Sequence, residues 1–422
     1  MDVYRVARLG APLDAVVEVP GSKSVANRAL VCAALAAGES VLTDVPDGDD
    51  TAAMIDCLTA LGLAVEREGT TVRIDGGVKH FRKGPLVMRT RLAGTTSRFI
   101  TALAALGPGP YTIDGLPPLR RRPMRPLHEA LSALGVAVRS TEAAGHLPVT
   151  IEGPFDITAE EVKLRGDISS QYLSALMMIA PSFPKGLRFV LTTELVSRPY
   201  VRVTAKVMEA FGIGGIELGD RIITVPAGRY SPRDYTIEPD ASAASYPLAA
   251  AAICGGTVRV PGLTGDSLQG DANFYKVLAR MGCQVKQDPT GTTVTRNGEL
   301  KGVDINLSDL SDLVPTLAVV APFASSTTDI HGVGFIRKKE SDRLTDLCLE
   351  LRKAGIDAVD NPDGLVVQPS QPHSATLGTH EDHRLAMSFA LVGLATSGII
   401  VEDPDVVSKS WPGFWDMIES LR

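Results

Sequence analysis

A chain of 422 residues is longer than one ordinary hydrophobic core organises, and 44% hydrophobic residues suffice to fill two domains. A formal net charge of -7 argues against a nucleic-acid partner. The longest nearly apolar stretch, 385–401, is interrupted by Ser388, Gly393, Thr396, Ser397 and Gly398, and residues 1–13 lack an apolar signal core, so a soluble cytoplasmic protein with no membrane partner is expected.

In chain order, the first organised stretch is Val16-Val17-Glu18-Val19, which reads as a strand and is broken by Pro20-Gly21. Ser22-Lys23-Ser24 then opens an alanine-rich run, with Ser22 or Ser24 suited to cap a helix that ends at Gly38. A lysine, two hydroxyls and unpaired backbone N–H groups at a positive helix end make a place for an anion. Arg28 follows Ser24 by about one turn, faces the same way and can add a bidentate clamp.

Further alanine-rich runs end at Gly107, Gly186, Gly255, near Ser325 and at Gly398, a period of about seventy residues. Each is followed by a short β-like segment such as Tyr111-Thr112-Ile113 or Ile399-Ile400-Val401. A second, more amphipathic helix series interleaves with the first and closes at Leu61-Gly62, Leu134-Gly135, Phe211-Gly212, Met281-Gly282 and Ala354-Gly355, with an alternating strand after each. Its sixth member is the C-terminal helix 411–421, which has no strand left to follow it. The pattern predicts an α/β fold of six repeated β-α-β-α-β-β units, three per domain. Domain crossings are expected at Pro20-Gly21 and within 229–240, giving one domain over 21–235 and a second over 1–20 plus 236–422.

Polar residues recur at one phase of the repeat. The alanine-rich helices begin with Ser22-Lys23-Ser24, Gly94-Thr95-Thr96-Ser97-Arg98, Ser169-Ser170-Gln171, Asp240-Ala241-Ser242, Ser311-Asp312 and Asp382-His383-Arg384. Two domains facing one another would focus these positive helix ends on a shared cleft. Lys23, Arg28, Arg122, Arg343, Arg384 and Lys409 would line it for a ligand bearing several negative charges, with Asp312 and Glu340 as candidate acid and base. Unpaired, cations split between the domains would repel and favour an open cleft until anions bind.

Arg120-Arg121-Arg122 falls in a second set of polar loops after the alanine-rich helices, with a solvated basic run as the lesser alternative for the first two. Other features read as structural. His380-Glu381-Asp382-His383 could pass for metal ligands, but its place at the start of a helix of the repeated type favours a cap plus anion site. Cys32, Cys57, Cys254, Cys283 and Cys348 have no CxxC spacing and read as buried thiols.

The strings PGSKSVANRAL, LAGTTSRF, RRRPMRPL, DISSQYLSALMM, SRPYV, SDLVPTLA, RKKESDRL, EDHRLAMSFAL and SKSWPGF together resemble the 5-enolpyruvylshikimate-3-phosphate synthase family, in order along nearly the whole chain. The resemblance implies transfer of the enolpyruvyl group of phosphoenolpyruvate to the 5-hydroxyl of shikimate 3-phosphate, with release of phosphate and no metal or organic cofactor. It implies that Lys23, Ser24, Arg28, Ser169, Ser170, Gln171, Ser197, Tyr200, Asp312 and Lys339 contact shikimate 3-phosphate. Phosphoenolpyruvate would be held by Lys23, Gly94, Thr95, Arg122, Gln171, Arg343, Arg384 and Lys409. Asp312 would accept the hydroxyl proton, and Glu340 or Lys23 would protonate the methylene. A monomer is expected. The chain departs from the family's habit at Leu92 (often Asn), Phe99 (often Pro), Arg125 (often Gly), Arg198 (often Lys) and Phe335 (usually Asn or His). UDP-N-acetylglucosamine enolpyruvyl transferases, which resemble it next, usually carry a reactive cysteine in the loop corresponding to Leu116–Arg125; here that loop has three prolines and four arginines instead.

Overall fold

The computed structural model describes residues 2–153 and 159–422. Its helices are α1 (Lys23–Leu35), α2 (Asp49–Leu61), α3 (Gly94–Ala104), α4 (Pro117–Arg120), α5 (Arg125–Ala133), α6 (Ser170–Ile179), α7 (Arg198–Ala210), α8 (Ala241–Cys254), α9 (Phe274–Arg280), α10 (Val314–Val320), α11 (Thr345–Lys353), α12 (His383–Ala395) and α13 (Phe414–Ser420). Contacts divide the chain into two units, one over Gly21–Ile237 and one over Met1–Pro20 with Glu238–Arg422.

The described residues form six sheets, three in each unit. Each is built around the strand that follows an alanine-rich helix. In the sheet around Tyr111–Asp114, for example, Leu86–Arg89 pairs in parallel on one side and Val149–Glu152 antiparallel on the other, with Ala137–Ser140 at the edge. The same order recurs around Leu187–Leu191 and Thr328–His331.

Two sheets draw their parallel strand from elsewhere in the chain. Leu13–Val16, which precedes α1 in sequence, pairs with Gly256–Pro261, whereas Asp234–Thr236, which precedes α8, pairs with Gly38–Thr43. The strand expected at Val16–Val19 therefore lies earlier, because its register is fixed by Gly256–Arg259; the last ladder contact is Val17 N to the Arg259 carbonyl at 2.8 Å. The last sheet has three strands: Ala375–Leu377 and Ile399–Glu402 in parallel, with Val3–Arg5 antiparallel to the latter. The chain's first strand thus occupies the side left open by the missing hairpin.

The alanine-rich helices are buried almost all round, which is why they carry small apolar residues on every face rather than one stripe. In α8 every residue but the last is buried, and α8, α10 and α12 pack on one another. In the other unit α3 packs on α6, and α7 bridges α1 and α6. Each leucine or valine enclosed here contributes about 1.5–3 kcal/mol by leaving water. The amphipathic series ends at the expected glycines: Gly62, Gly135, Gly212, Gly282 and Gly355 all take positive φ, between 76° and 109°, a backbone region where a Cβ is strained. Helix α1 ends at Leu35, three residues before Gly38, whose φ of 127° starts the next strand.

Candidate functional site

In the Gly21–Ile237 unit, α1 begins at Lys23 because the Ser22 hydroxyl accepts from Val25 N at 3.4 Å. Lys23 Nζ lies 3.1 Å from Asp50 Oδ2 in the first turn of α2. Arg28 is buried and spends its donors inside the unit. Nε donates to Thr204 Oγ1 at 2.7 Å, Nη1 to the Ser24 carbonyl at 2.8 Å, and Nη2 to Ser174 Oγ at 3.4 Å and the Tyr200 carbonyl at 3.3 Å. The rings of Phe99 and Tyr200 lie 5.2 and 6.0 Å from its guanidinium carbon. None of these partners is a carboxylate, and desolvation pulls the Arg28 guanidinium down to about 10.

Helix α3 starts at Gly94, where a Cβ would stand 2.5 Å from Arg122 Nη1 and 2.9 Å from Arg98 Nη1. The bare backbone therefore makes room for two guanidiniums. Arg98 donates to the carbonyls of Gly94 at 2.9 Å and Pro123 at 3.1 Å, fastening the loop that carries Arg122 to the helix start. Ser169 caps α6 by accepting from Gln171 N at 3.3 Å, and Gln171 Nε2 donates to Thr95 Oγ1 at 3.2 Å, joining the starts of α3 and α6. Ser170, first in α6, is buried. Ser197 is held in the left-handed region at φ 52° just ahead of α7, and its carbonyl accepts from Tyr200 N at 3.2 Å. A non-glycine residue there is strained, a feature that clusters at functional sites.

In the other unit two of the cations expected to stand unpaired, Arg343 and Arg384, are paired with carboxylates. Arg343, 1% exposed, donates through Nη1 to Asp312 Oδ1 at 3.0 Å and through Nη2 to Glu340 Oε2 at 2.8 Å. Its Nε and Nη2 also reach the two oxygens of Asp382 at 2.7 and 3.2 Å. Arg384 Nη2 donates to Asp312 Oδ2 at 2.7 Å. Asp382 is fully enclosed; it caps α12 by accepting from Arg384 N at 2.9 Å and also accepts from Ser341 Oγ at 3.0 Å. Three carboxylates thus offset Arg343 and Arg384 inside this unit, as Asp50 offsets Lys23 in the first.

These pairings set the titration of the cluster. Desolvation lowers the Arg343 guanidinium, but Asp382, Glu340 and Asp312 outweigh it and hold it above its usual value. Burial pushes the Asp312 carboxyl up, but Arg384, Lys339 and Arg343 overcome that and leave it far below the usual carboxylate range. Asp271, whose Oδ2 accepts from Ser242 Oγ, goes the other way, pushed up to about 7 by burial and by the charge of Asp312. Lys339 ends the turn Gly334–Lys338 with Nζ 6.0 Å from the Phe335 ring, and Lys409 is buried at the end of the turn Pro404–Lys409.

Arg120, its side chain 33% exposed, pairs with Asp114 at 2.7 Å and Glu142 at 2.8 Å. In the run His380–His383, Asp382 is the helix cap, and His380 Nε2 sits 2.8 Å from Glu350 Oε1. The sequence reading gave no role to Asp271 and placed Asp382 only in a helix-start cluster. Asp382 was visible as a cap, but its pairing with Arg343, 39 residues away in sequence, carried no local signal.

A family model described as EPSP synthase (3-phosphoshikimate 1-carboxyvinyltransferase) matches residues 7–418. The 3-phosphoshikimate 1-carboxyvinyltransferase of Nostoc punctiforme is 41% identical over 420 residues, covering 98% of both chains. The fold is similar to a solved EPSP synthase from Acinetobacter baumannii, with TM-score 0.83 at 23% identity over 99% of this chain and 97% of that one. It is also similar to the enolpyruvyl transferase NikO from Streptomyces tendae, with TM-score 0.80 at 18% identity over 99% and 97%.

Proposed function

The chain belongs to the EPSP synthase family, and from that premise we propose how its residues divide the transfer of an enolpyruvyl group from phosphoenolpyruvate to shikimate 3-phosphate. The reaction serves aromatic amino-acid biosynthesis. The acceptor is held by Lys23, Ser24, Arg28, Ser169, Ser170, Gln171, Ser197 and Tyr200, with Asp312 and Lys339. Arg28 supports this because it is a buried cation whose partners are neutral, so an acceptor anion would supply the missing charge. The donor is held by Lys23, Gly94, Thr95, Arg122, Gln171, Arg343, Arg384 and Lys409.

In the first half-reaction the acceptor's 5-hydroxyl oxygen bonds to C2 of phosphoenolpyruvate while Asp312 takes its proton, and Glu340 or Lys23 delivers a proton to the methylene carbon. In the second, a proton leaves the new methyl group, the double bond re-forms and the C2–O bond to phosphate breaks. The observation that carries this assignment is the direct pairing of Asp312 and Glu340 with Arg343: proton-handling carboxylates sit on an anion-binding guanidinium.

The test is an assay of phosphate and enolpyruvyl product from the two substrates, with Glu340→Gln as the diagnostic variant. We expect shikimate 3-phosphate to bind as before while kcat falls by about 10²- to 10⁴-fold, the usual worth of a positioned acid or base. In deuterated water, hydrogen exchange into the phosphoenolpyruvate methylene should slow in the same variant. Exchange at the wild-type rate with lost acceptor affinity would make Glu340 an electrostatic brace and move the proton donor to Lys23.

A further inference from the structure

The two arginines assigned to the donor carry a carboxylate of the protein itself. Asp312 spans them, one oxygen 3.0 Å from Arg343 Nη1 and the other 2.7 Å from Arg384 Nη2. A ligand carboxylate seated on both guanidiniums needs these same donors. Resting on the functional reading above, we propose that Asp312 is an internal competitor for the donor's carboxylate, and that phosphoenolpyruvate displaces it and thereby converts it from a counter-ion into the base.

Asp312 and Asp382 differ in how they are held. Asp382 grips Arg343 with both oxygens, caps α12 and accepts from Ser341, and it is fully buried, so it is the permanent counter-charge. Asp312 sits in the short turn Ser311–Leu313 ahead of α10, and neither that turn nor the helix takes a side-chain cap. Its side chain is 17% exposed, against 0% for Asp382. Its carboxylate can therefore swing off the arginines without undoing a helix end.

Displacement changes its chemistry in the useful direction. While Asp312 lies on Arg384 and Arg343, with Lys339 beside it, the balance of charges holds its carboxyl below the range of a useful base. A donor carboxylate on those arginines removes their stabilising charge and adds a like charge nearby, and both changes raise basicity. Glu340, on Arg343 Nη2, and Asp271, whose charge couples to Asp312, act in the same sense. The proton it then takes comes from the acceptor's hydroxyl as the C2–O bond forms, so the base becomes competent only when both substrates are present.

The test is Asp312→Asn in the full-length protein, with Asp312→Ser as a second variant should the first fail to fold. At saturating shikimate 3-phosphate, both kcat and the KM for phosphoenolpyruvate are measured; when chemistry is slow, KM equals the dissociation constant. Removing an internal competitor raises the competent fraction, so phosphoenolpyruvate should bind about fivefold or more tightly while kcat falls by about 10²-fold or more. A purely structural Asp312 would weaken the donor and lower kcat together. Unchanged or weaker donor binding in a folded variant, or an undiminished kcat, overturns the proposal. Failure of the wild-type protein to form the enolpyruvyl product overturns the functional reading itself, so the two failures are told apart.

Discussion

Arg28 and Arg343 are both large buried cations, yet they are accommodated in opposite ways. Arg28 is held by hydroxyls, carbonyls and two aromatic rings, and its guanidinium is destabilised as a cation. Arg343 is surrounded by Asp312, Glu340 and Asp382 and is stabilised as a cation. The difference teaches that a buried basic residue can await an anion in two senses. One kind lacks a counter-charge and gains it from the ligand; the other already has one and must exchange it. Affinity at the first is limited by desolvation, and at the second by competition.

The comparison breaks most visibly in stability. Arg343→Met leaves three carboxylates without their shared cation and should cost about 3–5 kcal/mol in denaturant unfolding, the usual loss when one partner of a buried pair is removed. Arg28→Met removes a buried charge that has no acidic partner, so stability should stay within about 1 kcal/mol of wild type. Its shikimate 3-phosphate affinity should instead fall by roughly 10- to 100-fold, the worth of charge-assisted hydrogen bonds, as titration calorimetry would read. Equal stability losses in the two variants would dissolve the distinction.

Asp271 probes the carboxylates around Arg384. Its pKa is raised in the folded protein to about 7, so the native state binds an extra proton between the ordinary carboxylate pKa and that value. The stability attached to that proton is fully present below about pH 4 and lost as pH rises towards about 7. Asp271→Asn should therefore be more stable than wild type at pH 8, by roughly 1–2 kcal/mol, with the gain vanishing in acid. A gain independent of pH would exclude the charge as its cause. The smallest expected effect is at Phe99, 1% exposed and stacked beside Arg28. Phe99→Leu should weaken shikimate 3-phosphate binding by about threefold to tenfold, with recovery in Phe99→Tyr, as the loss of one cation–π contact predicts.

Much of the local structure was legible because short-range rules govern it. Helix ends at Gly62, Gly135, Gly212, Gly282 and Gly355 follow from the need for positive φ, and caps at Ser22, Ser169, Asp240 and Asp382 follow from orphan N–H groups. The strands after the alanine-rich helices follow from apolar alternation bounded by breakers. The six-fold repeat was readable as a period, since each unit solves the same burial problem with the same pattern.

What sequence alone could not fix is which partner each group finds. The exchange of Leu13–Val16 and Asp234–Thr236 between sheets, and the use of Val3–Arg5 to complete the last one, depend on register contacts hundreds of residues apart in sequence. Arg28 and Arg343 both read as free clamps because side-chain charge is local information, whereas burial and counter-charge are properties of the packed chain. Sequence determined that these cations are there to meet an anion; only the tertiary structure decided that one would be solvated by neutral dipoles and the other matched by carboxylates, because desolvation and Coulomb energy act through space and not along the chain.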